Sequence, residues 1–290
     1  MAVKKKKTAT KTKTATKKKT RAARRSHISL DTFEREARAA DRARSRAALD
    51  SGAAPADATR VRARRRVRVA PAAAAAPEPP SFDLLRDAAG NRIGTQVRDQ
   101  GSAGSCTANA AISAMETFRF VRDNTAPLLS PEDAFQKAGG IEEMGVAVVI
   151  AAQGILETGC FTPNPPCANQ ATHTWRGTFR QLTESINNMP AAMRSHLLAQ
   201  RPLAAVIRFF PNFRNYTGGV FKKEGTSTAA HAVAVVGYEK NSSGNGGVWI
   251  CRNSFGPAWG EQGYVKTEWL DGFLELEHIV FVLEDVRRAG

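Results

Sequence analysis

The residue best suited to covalent chemistry is Cys106, which follows a glycine-rich turn at residues 100–105. After the cysteine, apolar residues recur every three or four positions, which predicts an amphipathic helix capped by Ser105. A thiol in the first turn of a helix lies at the positive end of the helix dipole, which favours the nucleophilic thiolate. The backbone N–H groups of that turn can also bind a developing oxyanion. The apolar positions are Ala108, Ile112, Met115 and Phe118.

Two later residues are able to assist such a thiol. His231 begins an apolar, β-branched run that ends at Gly237, and Asn253 lies in an aromatic-flanked turn after a second run. A histidine beside the sulfur can take up and return the proton of an acyl transfer, and a neutral amide can fix the orientation of the ring. The alternative interpretation of Cys106 is a small buried apolar side chain, which is the commoner state of a free cysteine. Taken singly, His231 as a core histidine and Asn253 as a turn residue are equally ordinary.

Three blocks of the sequence resemble, in the same order, the motifs of the papain family of cysteine peptidases. The blocks are QGSAGSC, which ends at Cys106, HAVAVVGY, which begins at His231, and NSFGPAWGEQGY, which begins at Asn253. The separations of 125 and 22 residues between these three side chains are close to those of the family. The resemblance covers about residues 82–290 and, with the basic extension before it, suggests a bacterial-type member.

The resemblance implies an endopeptidase that hydrolyses peptide bonds and needs no cofactor or metal. Cys106 would attack the peptide carbonyl and form a thioester, while His231, as imidazolium, would protonate the leaving amine and later activate water. Asn253 would orient the imidazole through one hydrogen bond. Gln100 matches the family residue whose side-chain amide joins the Cys106 backbone N–H in the oxyanion hole. The implied partners are protein or peptide substrates.

The order of sequence patterns predicts an α+β protein. Helical patterns come first: Ser130 is a predicted N-cap, residues 142–156 are predicted to form a helix, and Thr178-Phe179 to begin another. Short apolar or β-branched runs separated by Gly, Asn and Pro turns follow Pro202 and predict strands. The five runs are 204–210, 231–238, 247–253, 263–269 and 278–284.

With the resemblance, this order implies a papain-like two-lobed fold. A helical lobe would span about residues 100–195, and an antiparallel β lobe about residues 200–290. The nucleophile would lie on the helical lobe and the histidine on the β lobe. The active site is therefore expected in the cleft between them.

Three residues depart from the family motifs near the candidate site. Ala103 replaces a cysteine, so the disulfide that the family usually makes is missing, which fits a reducing compartment. Thr107 and Phe255 replace tryptophans. Phe255 can still shield the hydrogen bond between Asn253 and His231 from water, whereas Thr107 removes aromatic packing beside the nucleophile.

The remaining cysteines require no disulfide framework. Cys160 and Cys167 either pair with each other or stay reduced, and Cys251 is predicted to be buried in an apolar strand. The four cysteines include no Cys-x-x-Cys pair that would suggest zinc. Because neither a signal peptide nor a membrane-spanning run is evident in the sequence, we expect a cytoplasmic protein, with export that needs no signal as the alternative.

The positive charge of the chain is concentrated in residues 1–80, which we call the basic arm. The arm holds 23 Lys and Arg against 7 Asp and Glu, whereas residues 81–290 hold 19 against 20. Its low-complexity composition predicts disorder, with a weak helix at residues 28–49. Residues 21–80 stand where relatives carry an inhibitory pro-segment. Residues 1–68 predict nonspecific binding of nucleic acid or another polyanion, and the alternative is a solvated tail or an import or export address.

Other function classes stay open at this point. A catalytically silent scaffold would share the fold, a polyanion-binding protein would act through the basic arm, and a transferase would use the same thioester. The complete set of four candidate residues favours the peptidase. The set is Cys106, His231, Asn253 and Gln100.

Overall fold

The computed structural model describes residues 77–125, 127–138, 153–159, 174–227, 229–269 and 279–289, the single residues 146 and 150, and the backbone of residues 28–29. The predictions made for Cys160, Cys167 and most of the basic arm lie outside this part of the chain.

The described residues form three α-helices, one 3-10 helix and nine strands. The helices are α1 (Cys106–Asp123), α2 (Pro131–Lys137) and α3 (Met189–Leu198), with a 3-10 helix at Pro211–Asn215. The strands are β1 (Ile28–Ser29), β2 (Ser81–Asp83), β3 (Ile155–Thr158), β4 (Thr174–Gln181), β5 (Leu203–Phe209), β6 (Ala229–Lys240), β7 (Gly247–Arg252), β8 (Tyr264–Glu268) and β9 (Val280–Ala289).

The strands pair antiparallel in one sheet with the order β3-β4-β9-β5-β6-β7-β8, and β1 and β2 pair with β6 as well. The five strands predicted beyond Pro202 are confirmed as β5 to β9. Helix α1 packs across β5, β6 and β9. It does so because its apolar stripe and the alternate residues of these strands bury the same cluster of side chains.

Helix α1 begins at Cys106, as predicted, and buries one apolar face. The prediction that Ser105 caps it is wrong, because the serine side chain makes no capping hydrogen bond. Asn109 instead donates from Nδ2 to the Oγ and the carbonyl oxygen of Ser105, at 3.1 and 2.9 Å. This bond occupies the hydroxyl oxygen that would otherwise accept from the first turn. The predicted apolar positions Ala108, Ile112, Met115 and Phe118 are all buried.

Helix α2 has the N-terminus that the sequence predicts. The Oγ of Ser130 accepts a hydrogen bond from the backbone N–H of Asp133 at 3.1 Å. Val146, Ile150 and Gln153 have helical backbone, within the helix predicted for residues 142–156. The last two residues of that prediction are wrong, since they begin β3.

The helix predicted to begin at Thr178-Phe179 is wrong, because both residues lie in strand β4. Alternate residues of β4 are buried, which is the period of a strand with one face on the core. The strand pairs with β3 on one side and β9 on the other. These partners, distant in sequence, decide the conformation over the local helical pattern.

A short strand pairs with β6 near each of its ends: β1 comes from the basic arm, and β2 follows directly after it. Near its C-terminal end β6 pairs with β2, which approaches so closely that a Cβ on Gly237 would lie 2.4 Å from the Phe82 carbonyl oxygen. Near its N-terminal end it pairs with β1, where Ile28 lies opposite Ala230. The weak helix predicted for residues 28–49 is therefore wrong at its first two residues, which are extended.

Candidate active site

The N-terminus of α1 and the start of β6 lie together in the core. Cys106 packs in the same apolar cluster as Ala230 and Ala232, the residues on either side of His231. The side chains of Cys106 and His231 are both 0% exposed. Neither the sulfur nor the imidazole therefore faces solvent, and we call this arrangement the closed state.

His231 is held by Asn253, as the motifs predict. The Oδ1 of Asn253 accepts a hydrogen bond from Nε2 of His231 at 2.7 Å. The backbone N–H of Asn253 donates to the Gly263 carbonyl at 2.9 Å, which fixes the turn after β7. Because Nε2 is bonded to the amide, a proton that His231 exchanges with a reacting group would have to pass through Nδ1.

Aromatic rings surround the imidazole. The Phe255 ring lies 4.8 Å from the His231 ring between centroids, and Phe213 and Phe209 lie at 6.0 and 6.1 Å. Trp259 packs behind them, 5.0 Å from Phe213. Phe255 thus covers the histidine, where the family motif has a tryptophan, and this wall keeps water from the bond to Asn253.

The environment of His231 disfavours its charged form. Burial is the largest cause and lowers the pKa of His231 to about 4, and the nearby charge of Arg214 lowers it as well. The hydrogen bond with Asn253 opposes both. In the closed state the imidazole is therefore neutral near pH 7, in contrast to the imidazolium that the proposed mechanism implies.

Gln100 lies beside the residue that follows Asn253. Its backbone N–H donates to the Ser254 carbonyl at 2.9 Å, and its Oε1 accepts a short hydrogen bond from the Ser254 hydroxyl. Its Nε2 donates to the Ala103 carbonyl at 2.9 Å. These bonds hold the side-chain amide of Gln100 in the turn that leads to Cys106.

A buried charged network joins the segments that carry these residues. Glu116 of α1 is 0% exposed, forms an ion pair with Arg98 and accepts from the Thr95 hydroxyl at 2.9 Å. Arg252, the last residue of β7, donates to the carbonyls of Thr95 and Gln96 at 2.8 and 2.6 Å. The network therefore fixes α1, the segment before Gln100 and the end of β7 relative to one another.

Sequence reasoning missed Ser254, Glu116 and Arg214. A signal for Glu116 was present, since it follows Ile112 by four positions and so lies on the buried face of α1. Ser254 directly follows Asn253, but a serine there does not by itself indicate a bond to the turn before Cys106. Arg214 reaches the site only through the packing of the 3-10 helix, which no local pattern predicts.

A cavity of about 800 Å³ opens beside the turn that precedes α1, and its lining includes Gln100, Ala103, Ser105 and Phe135. A cavity of this size can hold several residues of a peptide. In the part of the chain that the structure describes, no group of three or more His, Cys, Asp or Glu side chains is arranged to hold a metal ion. Likewise, none of the described helices is long and apolar enough to cross a membrane.

A family model for papain family cysteine proteases matches residues 78–272. The chain belongs to the papain family. Over 191 residues it is 27% identical to ananain of Ananas comosus, across 59% of this chain and 52% of that protein. Over 189 residues it is 31% identical to vignain of Vigna mungo, across 60% of this chain and 51% of that protein. The papain-family chain thus spans about half the length of the curated relatives it matches.

Solved structures share the papain-like fold. Bromelain from Ananas comosus in complex with the E64 inhibitor matches at a TM-score of 0.50 and 21% identity, covering 73% of this chain and 99% of that chain. Digestive procathepsin L 3 of Tenebrio molitor larval midgut matches at 0.53 and 20%, covering 73% and 71%. The predicted α+β fold, a helical lobe and an antiparallel β lobe, is confirmed.

Proposed function

We propose that this papain-family chain is a cysteine endopeptidase that hydrolyses peptide bonds through a thioester on Cys106. The observation that carries the proposal is the 2.7 Å hydrogen bond between His231 and Asn253, on the strand packed against the helix that Cys106 begins. Family membership supports the same chemistry. That the chain is a bacterial-type member stays a prediction, because the two relatives described above come from plants.

The proposed reaction gives each proton a defined path. In the opened site, Nδ1 of His231 takes the proton of the Cys106 thiol, and the thiolate forms a bond to the substrate carbonyl carbon. The carbonyl oxygen becomes an oxyanion beside the Gln100 amide and the first N–H groups of α1. Nδ1 then returns the proton to the leaving nitrogen as the C–N bond breaks. Water, deprotonated by the same nitrogen, finally cleaves the thioester.

Chemical labelling tests this function directly. Treatment of the full chain with an epoxide inhibitor of papain-type enzymes, followed by mass spectrometry, is expected to give one adduct, at Cys106. Cys251 is an internal control, because burial raises the pKa of its thiol to about 12 and it should stay unmodified. Cys106→Ala should abolish both labelling and peptide hydrolysis. Hydrolysis that survives in Cys106→Ala would contradict the proposal.

We also propose that the basic arm contains a pro-segment that keeps the site closed. Strand β1 pairs with β6 directly before His231, with Ile28 opposite Ala230 and Ser29 opposite Ala229. An extended segment at this strand edge occupies backbone groups that a bound peptide would otherwise use. The complete burial of Cys106 in the same structure supports this interpretation.

Proline substitutions in the full chain can test this closure. Ile28→Pro and Ser29→Pro each remove a backbone N–H and disfavour pairing within a strand, so Cys106 should be labelled faster. Ala53→Pro, elsewhere in the basic arm, is the matched control and should label at the original rate. Equal rates in all four proteins would refute closure by β1. Absence of labelling in all four would instead favour a catalytically silent scaffold.

The basic arm supports a second proposal, nonspecific binding of nucleic acid or another polyanion through residues 1–68. Its support is the excess of Lys and Arg in the arm, 23 against 7 acidic residues in residues 1–80. Cations that release counterions from phosphates give an affinity that falls steeply with salt. A gel shift with random-sequence DNA and RNA across a salt series tests it. Absence of binding at low salt would refute it.

A further inference from the structure

Arg214 lies on the histidine side of the candidate site, in the 3-10 helix after β5. Its backbone carbonyl accepts a hydrogen bond from Nε1 of Trp259 at 2.9 Å, and the preceding Phe213 is fully buried. Its guanidinium carbon lies 5.2 Å from the ring centroid of Phe255 and 5.6 Å from that of Phe209. The main chain and two rings therefore position this cation.

The same two rings contact the imidazole. Phe255 and Phe209 lie 4.8 and 6.1 Å from the His231 ring, so Arg214 and His231 share both aromatic neighbours. Arg214 is exposed, whereas His231 is buried. Its positive charge is also one cause of the lowered pKa of His231. A substrate that approaches the histidine therefore comes close to the guanidinium.

The chemistry of the reaction indicates which half of the substrate lies near Arg214. The acyl half stays bonded to the sulfur of Cys106, whereas the amine half takes its proton from His231 and departs. The chain after the scissile bond must therefore run along the side of the site where the histidine and its rings lie. Arg214 is on that side, because it shares the rings of Phe255 and Phe209 with His231.

We propose that Arg214 selects peptides with aspartate or glutamate as the first or second residue after the scissile bond. This inference rests on the proposed peptidase function. A carboxylate beside the guanidinium would form a charge-assisted hydrogen bond. It would also offset the positive charge that disfavours protonation of His231, so an acidic substrate gains both in binding and in proton transfer to the leaving amine.

The test uses the full chain with Ile28→Pro, the substitution expected to open the site, and quenched peptides that differ only at those two positions, with Glu, Gln or Lys. The Glu peptide should have a kcat/KM roughly tenfold above the Gln peptide. Arg214→Gln should bring this ratio to about 1, Arg214→Lys should keep most of it, and Arg214→Glu should favour the Lys peptide. Where hydrolysis is too slow to measure, the same ratios are taken from peptide affinities in a Cys106→Ser background.

Arg122→Gln is the matched control. Arg122 is also exposed and also contacts a ring, with its guanidinium carbon 4.4 Å from the Phe118 centroid, but it lies at the far end of α1 from Cys106. It should leave the Glu to Gln ratio unchanged. Three outcomes would each overturn the inference. They are a Glu to Gln ratio near 1 in the protein that keeps Arg214, a ratio that Arg214→Gln leaves unchanged, and no binding of any peptide. Failure of the peptidase function is distinguished by the absence of epoxide labelling at Cys106.

Discussion

Two consecutive residues at the end of β7 face very different interiors. Arg252 enters the network with Thr95, in which a buried carboxylate, Glu116, is paired with an arginine. Asn253 instead meets His231 among aromatic rings, where the nearby charge, Arg214, has the same sign as a protonated histidine. Both regions are polar, but the first pairs a carboxylate with an arginine, whereas the second places an arginine near a histidine.

The first region is suited to positioning the segments around the site, and the second is suited to proton transfer. A network of paired charges and carbonyls fixes each group in one protonation state and one geometry, and so can hold α1, the Gln100 segment and β7 together. A histidine that must gain and lose a proton needs surroundings in which neither state is strongly fixed by a counter-charge. Substitutions in the network should therefore reduce stability, and substitutions in the pair should reduce activity.

The largest effect should come from the histidine. His231→Ala removes the proton carrier, so kcat/KM for peptide hydrolysis should fall by at least about 1,000-fold while circular dichroism still shows a folded chain. His196→Ala, at a half-buried histidine of α3, is the matched control and should keep the original activity. Substantial turnover by His231→Ala would show that another group carries the proton.

Glu116→Gln should have the largest effect on stability. The substitution keeps the shape of the buried side chain but leaves the partly buried Arg98 without its counter-charge, so the free energy of unfolding should fall by about 3–5 kcal/mol. Urea denaturation measures the free energy of unfolding of the variant and of the unmutated chain. Glu132→Gln, at an exposed position of α2, should change stability by less than about 0.5 kcal/mol. A loss below about 1 kcal/mol in Glu116→Gln would contradict the structural role of the network.

The pH dependence of stability tests the burial of His231. Its pKa is about 4 in the folded chain against an ordinary 6.5, so the unfolded chain binds more protons between these values. The contribution of a neutral His231 to stability is therefore complete above pH 6.5 and declines as pH falls towards 4, by up to about 3 kcal/mol. His231→Gln removes this titration. If the free energy of unfolding changed equally in the two proteins between pH 7 and pH 4, the burial of His231 would be contradicted.

The smallest effect should come from Asn253→Ala. Asn253 orients the ring of His231 but is not consumed in the reaction, so kcat should fall by about 10- to 100-fold, less than for His231→Ala. Steady-state kinetics on one quenched peptide measure both variants. Asn241→Ala, in the turn between β6 and β7, is the control and should not change kcat. An effect of Asn253→Ala as large as that of His231→Ala would mean that the amide does more than orient the ring.

The sequence predicted what depends on local patterns. The helix that begins at Cys106, the strand that carries His231 and the strand that precedes Asn253 follow from apolar periodicity and turn residues, and the structure brings these elements together. Motif order supplied the four candidate residues, including Gln100, whose hydrogen bond with Ser254 ties it to the turn that carries Asn253.

What the sequence did not predict depends on contacts between distant segments. The local pattern predicts a helix from Thr178-Phe179, whereas both residues lie in strand β4. The partners of this strand, β3 and β9, lie elsewhere in the chain, and their pairing decides its conformation. The bond from Asn109 that displaces the Ser105 cap, and the contact of Arg214 with Phe255, arise only in the folded packing. Such residues show their role through three-dimensional neighbours rather than through spacing.

Because β1 and β2 both pair with β6, the segment between them determines how a site closed by β1 would open. Residues 30–80 tether β1 to β2, so β1 meets its strand edge as an intramolecular ligand rather than at the bulk concentration of the protein. A tether of this kind gives effective concentrations of order millimolar, so that even a contact of two residues can be occupied. One cut anywhere in the tether would reduce this concentration to that of the free fragment. The released strand would then dissociate, which makes opening of the site irreversible after a single proteolytic event.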